Sequence, residues 1–180
     1  RIEQVDKNAK APPRLAASDA PLLVAETAWL WARDDMKGSV DVLFVDEAGQ
    51  FSLANALAVS WAAGRMVLLG DPQQLAQPQK GIHPAGAEAS ALGHMIGPGG
   101  VIERDRGLFL DTTWRMHPAI TAFTSELFYQ GELGAHPANE GQRVVVAGRA
   151  VAPGLYLVPV DHAGNTRASG EEAAAAVDLC

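Results

Sequence analysis

Asp46 and Glu47 stand side by side at the end of the run Val40-Asp41-Val42-Leu43-Phe44-Val45, and Ala48-Gly49-Gln50 follows them. Adjacent acids repel, so such a pair in a closed site needs a cation or a shared proton. Magnesium suits that need beside phosphates, because it is a hard ion that prefers oxygen ligands. One carboxylate can then hold the metal's water shell while its neighbour orients or deprotonates a water. Taken alone, the pair is more often an ordinary acidic helix start, which the helix dipole favours.

A second stretch has the same design. Arg65-Met66-Val67-Leu68-Leu69 is mostly apolar, and Gly70-Asp71-Pro72-Gln73-Gln74-Leu75 follows. Gly70 permits a tight bend and Pro72 ends any ladder of strand hydrogen bonds. The amides of Gln73 and Gln74 can donate to a phosphate oxygen or hold a water, or simply be solvated around a Gly-Asp-Pro turn. In the third stretch, Leu108-Phe109-Leu110 leads into Asp111-Thr112-Thr113-Trp114-Arg115-Met116-His117-Pro118. Arg115 carries a planar fork of donors matched to phosphate oxygens, and Trp114 offers a flat face to a base or to a core.

The elements that must position these groups follow from patterning. Residues 40–45 are apolar enough for a strand covered on both faces, and in open parallel sheets reactive groups sit just beyond the carboxyl ends of strands. A helix is expected over 52–63, with Leu53, Ala56, Leu57 and Ser60 or Trp61 on its packed face. Gly64 stops it, and a strand over 66–69 comes next. Strands alternating with helices at this spacing indicate a parallel α/β sheet. Before them, 22–25 reads as a strand and 27–33 as a helix for which Thr27 is a candidate cap. Beyond them, 77–86 is irregular, 90–96 is a short helix, and 97–107 is a joint rich in glycine, proline and charge. Pro118 opens a helix to about Tyr129, with Phe123, Leu127 and Phe128 as its apolar face. Short strands are expected at 144–146 and 155–160. Ser169 and Glu172 form a capping box for a last helix.

Together the three stretches resemble superfamily 1 helicases, in the branch that includes the helicase of nonsense-mediated mRNA decay. Asp46-Glu47-Ala48-Gly49-Gln50 is similar to that family's Walker B box, and Gly70-Asp71-Pro72-Gln73-Gln74-Leu75 to its next motif. Leu110 to Pro118, continued by Ile120, Phe123, Ser125, Phe128-Tyr129 and Gly131-Glu132-Leu133, is similar to the motif that opens the second motor domain. Within the family the resemblance points to bacterial proteins that pair such a helicase with a RecB-like nuclease.

The resemblance implies an α/β, RecA-like P-loop NTPase fold. Residues 21–105 would be the C-terminal part of a first motor domain and 106–180 the start of a second, with 1–20 as a linker. It implies that Asp46 holds magnesium through its water shell and that Glu47 activates the water attacking the terminal phosphate of ATP. Gln74 would sense that phosphate. Arg115 would reach across from the second domain as an arginine finger, and Trp114 would lie near the nucleotide base where the family usually has tyrosine. Gln50, Gly70 and Asp71 would complete the nucleotide site, with Gln50 joining the two motifs of the first domain. Thr27 matches the second residue of a Gly-Thr pair that touches the nucleic-acid backbone, but Glu26 replaces the glycine and would repel phosphate. The implied partners are single-stranded DNA or RNA.

Composition sets bounds on these expectations. The chain has 180 residues, of which 48% are apolar, so a folded core is expected. Cys180 is the only cysteine, which excludes an internal disulfide and fits a reducing cytoplasm. No apolar run approaches the length of a membrane span. The net charge of −7 argues against a broad nucleic-acid surface on this piece and leaves room for a narrow track. His83, His94, His117, His136 and His162 are scattered without zinc-ligand spacing.

No Gly-x-x-x-x-Gly-Lys-Ser/Thr loop occurs, and both ends of the chain look cut, so an internal segment inactive by itself is expected. In the related motors the strand carrying that loop lies beside the one over 66–69. Without it that strand would show an open edge and the isolated piece would be poorly soluble or marginally stable. The competing reading is a degenerate, non-hydrolysing RecA-like binding or regulatory module. A weaker one, a metal nuclease on Asp46 and Glu47, lacks the further acids and lysine such sites assemble.

Overall fold

The computed structural model describes residues 2–4, 23–74, 86, 89–97, 99–146 and 148–179. The chain divides into two compact units, Arg1–Gly100 and Val101–Cys180. The expectations for residue 22, for Leu75 and for most of 77–86 lie outside the described residues.

In the first unit, β1 (Ile2–Gln4) pairs in parallel with β2 (Leu23–Ala25). The linker expected over 1–20 therefore does not extend to these three residues, whose backbone groups find partners along β2. Next comes α1 (Ala28–Trp31), shorter than expected, and a 3-10 turn at Asp34–Met36. There the Arg33 guanidinium grips Asp35 through Nε and Nη2 at 3.0 and 2.7 Å, holding that carboxyl below its ordinary range. Strand β3 (Leu43–Val45), helix α2 (Leu53–Val59) with a 3-10 extension over Ser60–Ala62, and strand β4 (Met66–Leu68) form a β-α-β unit. β3 and β4 are parallel, with Leu43, Phe44 and Val45 opposite Met66, Val67 and Leu68. Helix α3 (Ala91–Ile96) closes the unit.

The core gathers Trp31, Met36, Leu43, Val45, Ala48, Val59, Ala62 and Leu92, with Val24 and Phe51 packed against it. α2 contributes differently from the expectation. Its buried stripe is Ala56, Val59 and, in the extension, Ala62, whereas Leu57 and Trp61 are more than 60% exposed. Small side chains at this spacing admit close approach of the helix. Trp61 instead receives the Lys37 ammonium 4.6 Å from its ring centroid.

Two serines fix how α2 and α3 begin. Ser52 Oγ accepts from the Asn55 N–H and Ser90 Oγ from the Gly93 N–H, at 3.2 and 2.9 Å. The two serines also form an antiparallel bridge, so both helix starts share one anchor. Ser90→Ala is expected to lower unfolding free energy by about 1 kcal/mol, the usual cost of an N-cap. Urea denaturation of the two proteins side by side checks it.

In the second unit, β5 (Thr112–Thr113) pairs in parallel with β6 (Gly134–Ala135), and α4 (Pro118–Phe128) connects them. The apolar run Leu108-Phe109-Leu110 lies ahead of this strand and is not part of it, and Leu108 and Leu110 are exposed. The buried face of α4 is polar, at Thr121 and Ser125, not the expected Phe123, Leu127 and Phe128. Thr121 Oγ1 donates to the His117 carbonyl at 3.1 Å, and Ser125 Oγ accepts from the Leu133 N–H at 2.9 Å. These bonds give the two buried hydroxyls partners, and the second also pairs the Leu133 N–H beyond the helix end.

A 3-10 turn spans Pro137–Gly141. It is followed by an antiparallel hairpin of β7 (Val144–Val146) and β8 (Arg149–Val151). Residues 155–160 form no strand, and Leu155, Tyr156, Leu157 and Val158 are exposed. A strand needs a partner edge, and none pairs with them among the described residues. The last helix, α5 (Gly170–Leu179), starts under Ser169, whose Oγ accepts from the Glu172 N–H at 3.1 Å. The Glu172 carboxylate faces His162 Nε2 at 3.1 Å, so only half of the anticipated capping box forms. Among the described residues no helix is long and apolar enough to cross a membrane.

Candidate functional site

Strand β3 ends at Val45, and the chain turns at once. Asp46 Oδ1 accepts from the Glu47 N–H at 3.0 Å, and Glu47 itself has φ 53°. A non-glycine residue in the left-handed region is uncommon and costs free energy, and such residues concentrate at functional sites. The turn exposes both Asp46 and Glu47 while Ala48 and Gly49 behind them are buried. Valines and leucine in the strand thus fix the rail, and the bend at Glu47 separates the two carboxylates from it.

The tip of β4 locks onto this turn. The Ala48 N–H donates to the Leu69 carbonyl at 2.8 Å, and the Leu69 N–H to the Val45 carbonyl at 2.9 Å. Neither loop leaves room for a side chain where they touch. A Cβ on Gly49 would lie 2.0 Å from the Asp71 carbonyl oxygen, and one on Gly70, at φ 151°, would lie 2.8 Å from the Ala48 nitrogen. Asp71 Oδ1 accepts from the Gln73 N–H at 2.9 Å, shaping the turn that carries Gln74. Gln50 Nε2 then donates to Gln74 Oε1 at 3.0 Å. Asp46, Glu47, Gln50, Gly70, Asp71 and Gln74 are therefore assembled on one pair of adjoining strand tips, with polar ends exposed.

Among the described residues no group of three or more His, Cys, Asp or Glu side chains could hold a metal ion. Asp46 is a single hard oxygen donor beside a second carboxylate. That donor set fits magnesium, which ordinarily takes one or two carboxylates and fills its octahedron with water and substrate phosphate.

Trp114 and Arg115 sit together on the second unit, just after β5. Trp114 is 69% exposed, and one face of its ring stacks on His136 at 3.4 Å between centroids and 19° between planes. The Arg115 N–H donates to Thr113 Oγ1 at 3.2 Å and its carbonyl accepts from Gln142 Nε2 at 3.0 Å. Within that unit, among the described residues, no carboxylate pairs with the Arg115 guanidinium. Thr27 stands at the N-cap of α1, but its side chain makes no capping bond; its N–H donates to Glu26 Oε2 at 2.9 Å.

Gly49, inside the first motif but given no role there, and three residues outside the motifs shape these loops. Gly49 was legible only as a small residue; its necessity comes from a contact with a backbone 22 positions away, between Gly49 and Asp71. His136, Asn139 and Gln142 approach the 113–116 turn from a segment with no local sequence signal beyond Pro137.

A family model described as an AAA domain matches residues 93–176, a stretch that holds Trp114 and Arg115. The chain is 32% identical over 132 residues to the DNA-binding protein SMUBP-2 of Mesocricetus auratus, covering 70% of this chain and 12% of that protein. It is 29% identical over 104 residues to Helicase SEN1 of Saccharomyces cerevisiae, covering 56% of this chain and 4% of that protein. The chain thus spans a small part of the length of the curated relatives it matches. No solved structure matches it.

Proposed function

We propose, from the premise that this chain is a superfamily 1 helicase-like segment with the α/β fold of RecA-like P-loop NTPases, that the protein it belongs to couples ATP hydrolysis to movement along single-stranded DNA or RNA. The observation that carries the reading is the Gln50–Gln74 hydrogen bond across interlocked strand tips, which ties the loop of the two carboxylates to the loop of Gln73 and Gln74.

In this reading Asp46 holds the water shell of magnesium, whose charge would offset that of the phosphates. Glu47 accepts a proton from the water that attacks the terminal phosphate, a role needing a carboxylate within hydrogen-bond reach of that water. Gln74 contacts the terminal phosphate, and through Gln50 its position depends on whether that phosphate is present. Gly70 and Asp71 hold the turn in place. Trp114 offers the ring face not covered by His136 to the base. The Arg115 guanidinium stabilises charge developing on the phosphate oxygens. Thr27 touches the nucleic-acid backbone through its hydroxyl, which no capping bond engages.

Strand displacement from a partial duplex by the full-length protein tests the reading. Release of the labelled strand is expected with ATP and magnesium and not with a non-hydrolysable ATP analogue. Release indifferent to ATP, or absence of ATP hydrolysis on any single-stranded DNA or RNA, would sink it.

A further inference from the structure

The turn carrying Trp114 and Arg115 has little to hold it from within. β5 pairs over only two residues, and the single bond inside the turn that the structure gives is Arg115 N–H to Thr113 Oγ1. Its carbonyls are secured from outside. The Asn139 amide nitrogen donates to the Thr113 carbonyl at 3.1 Å and to the Met116 carbonyl at 3.0 Å. Both hydrogens of one amide therefore straddle the Trp114-Arg115 pair. Gln142 Nε2 takes the carbonyl between them, that of Arg115, at 3.0 Å. The same short segment supplies His136, whose ring backs Trp114 and whose N–H donates to the Thr113 carbonyl at 2.9 Å.

The chemistry of these partners is specific. Asn139 is buried, at 5% exposure, and a buried amide placed between two carbonyls must present its nitrogen, since its oxygen would repel both. His136 Nδ1 accepts from the Ala138 N–H at 3.2 Å, so the imidazole is held by its own 3-10 turn and is not free to swing off Trp114. Pro137 opens that turn and limits its backbone freedom. A long, exposed arginine contributes to a transition state only as far as its base is pre-oriented, because any ordering left to the reacting complex is subtracted from the gain.

We propose that Asn139 and Gln142 are positioning residues: their side-chain amides fix the backbone of the 113–116 turn so that the Arg115 guanidinium and the Trp114 ring are presented in a set orientation. The proposal rests on the motor reading above, in which Arg115 acts on the terminal phosphate. Gln142 acts through Arg115 alone. Asn139, which brackets both residues, acts on Arg115 and on Trp114.

The test uses the full-length protein and two near-isosteric changes, Gln142→Glu and Asn139→Asp, each of which replaces a donor by an acceptor. Gln142 is exposed, so its variant is expected to fold with an unchanged thermal midpoint. Its kcat for ATP should fall about tenfold, the effect of roughly one hydrogen bond's worth of orientation. Its KM should stay within about twofold, as expected for a contribution made only in the transition state. Asn139→Asp should lower kcat further and also raise KM. The discriminating arm is a double-mutant cycle: in an Arg115→Ala background Gln142→Glu should cost nothing more, which a merely structural role would not produce. Full additivity with Arg115→Ala, or unaltered kcat in Gln142→Glu, overturns the proposal and leaves the motor reading standing. A parent protein that hydrolyses no ATP overturns the motor reading and this proposal with it.

Discussion

Replacing Glu47 by glutamine is expected to reduce ATP turnover by the full-length protein by about a hundredfold to ten-thousandfold, the range for losing a positioned general base. The change keeps the length and shape of the side chain and removes only its capacity to take a proton. Glu47 is exposed, and among the described residues its carboxylate is engaged by no bond that holds the fold; the turn is made by its backbone, at φ 53°, and by the Asp46 side chain. Stability should therefore be nearly unchanged. Nucleotide affinity should also survive, because Asp46 and the Gln50–Gln74 pair remain in place. Equilibrium binding of a fluorescent ATP analogue checks that half of the expectation. Loss of binding together with turnover would place Glu47 in nucleotide capture instead of water activation.

Gly49→Ala is expected to have the largest effect on the fold of the site. The added Cβ would meet the Asp71 carbonyl oxygen at 2.0 Å and its carbon at 2.8 Å, both backbone atoms that no rotamer change can move aside. The two strand tips must separate, and the Ala48–Leu69 hydrogen bond and the Gln50–Gln74 contact depend on their staying together. Overpacking of a close contact costs about 1–3 kcal/mol and sometimes more. A loss near the top of that range is expected here. Gly64→Ala is the matched control, since a Cβ there meets nothing within 4 Å. Urea unfolding should show a lowered midpoint for Gly49→Ala and none for Gly64→Ala. Equal midpoints would mean the tips are not interlocked as described.

The pair of strand tips on the first unit was largely legible in the sequence because it is built from local patterns. An apolar run that stops at Asp46 and another that stops at Gly70 announce strand tips, and their parallel pairing follows from the helix between them. What was not legible came from partners far along the chain. Leu57 and Trp61 fit a helical stripe as well as Val59 and Ala62 do, and only the space available under α2 selects the smaller set. Thr121 and Ser125 gave no sign of being the buried face of α4, because their value lies in carbonyl and N–H groups supplied by His117 and Leu133. Residues 155–160 form an apolar run of strand-like composition but pair with none of the described residues. The support of the Trp114-Arg115 turn by Asn139 and Gln142 spans more than 20 positions and follows no motif.

Local and distant contacts alike decide how rigidly an exposed side chain is offered. Glu47 is offered by a strained backbone, and Arg115 by carbonyls fastened from another segment. In both cases the side chain is solvent-facing while the peptide beneath it is held, an arrangement that can keep a geometry without burying its charges.

Phosphate release from magnesium-ATP by the full-length protein, with and without single-stranded DNA or RNA, measured on the unaltered protein and on Glu47→Gln together, bears most directly on the claim that these strand tips hydrolyse a triphosphate. The account predicts release that rises with nucleic acid in the unaltered protein and is lost in the variant. Undiminished release from Glu47→Gln would contradict it.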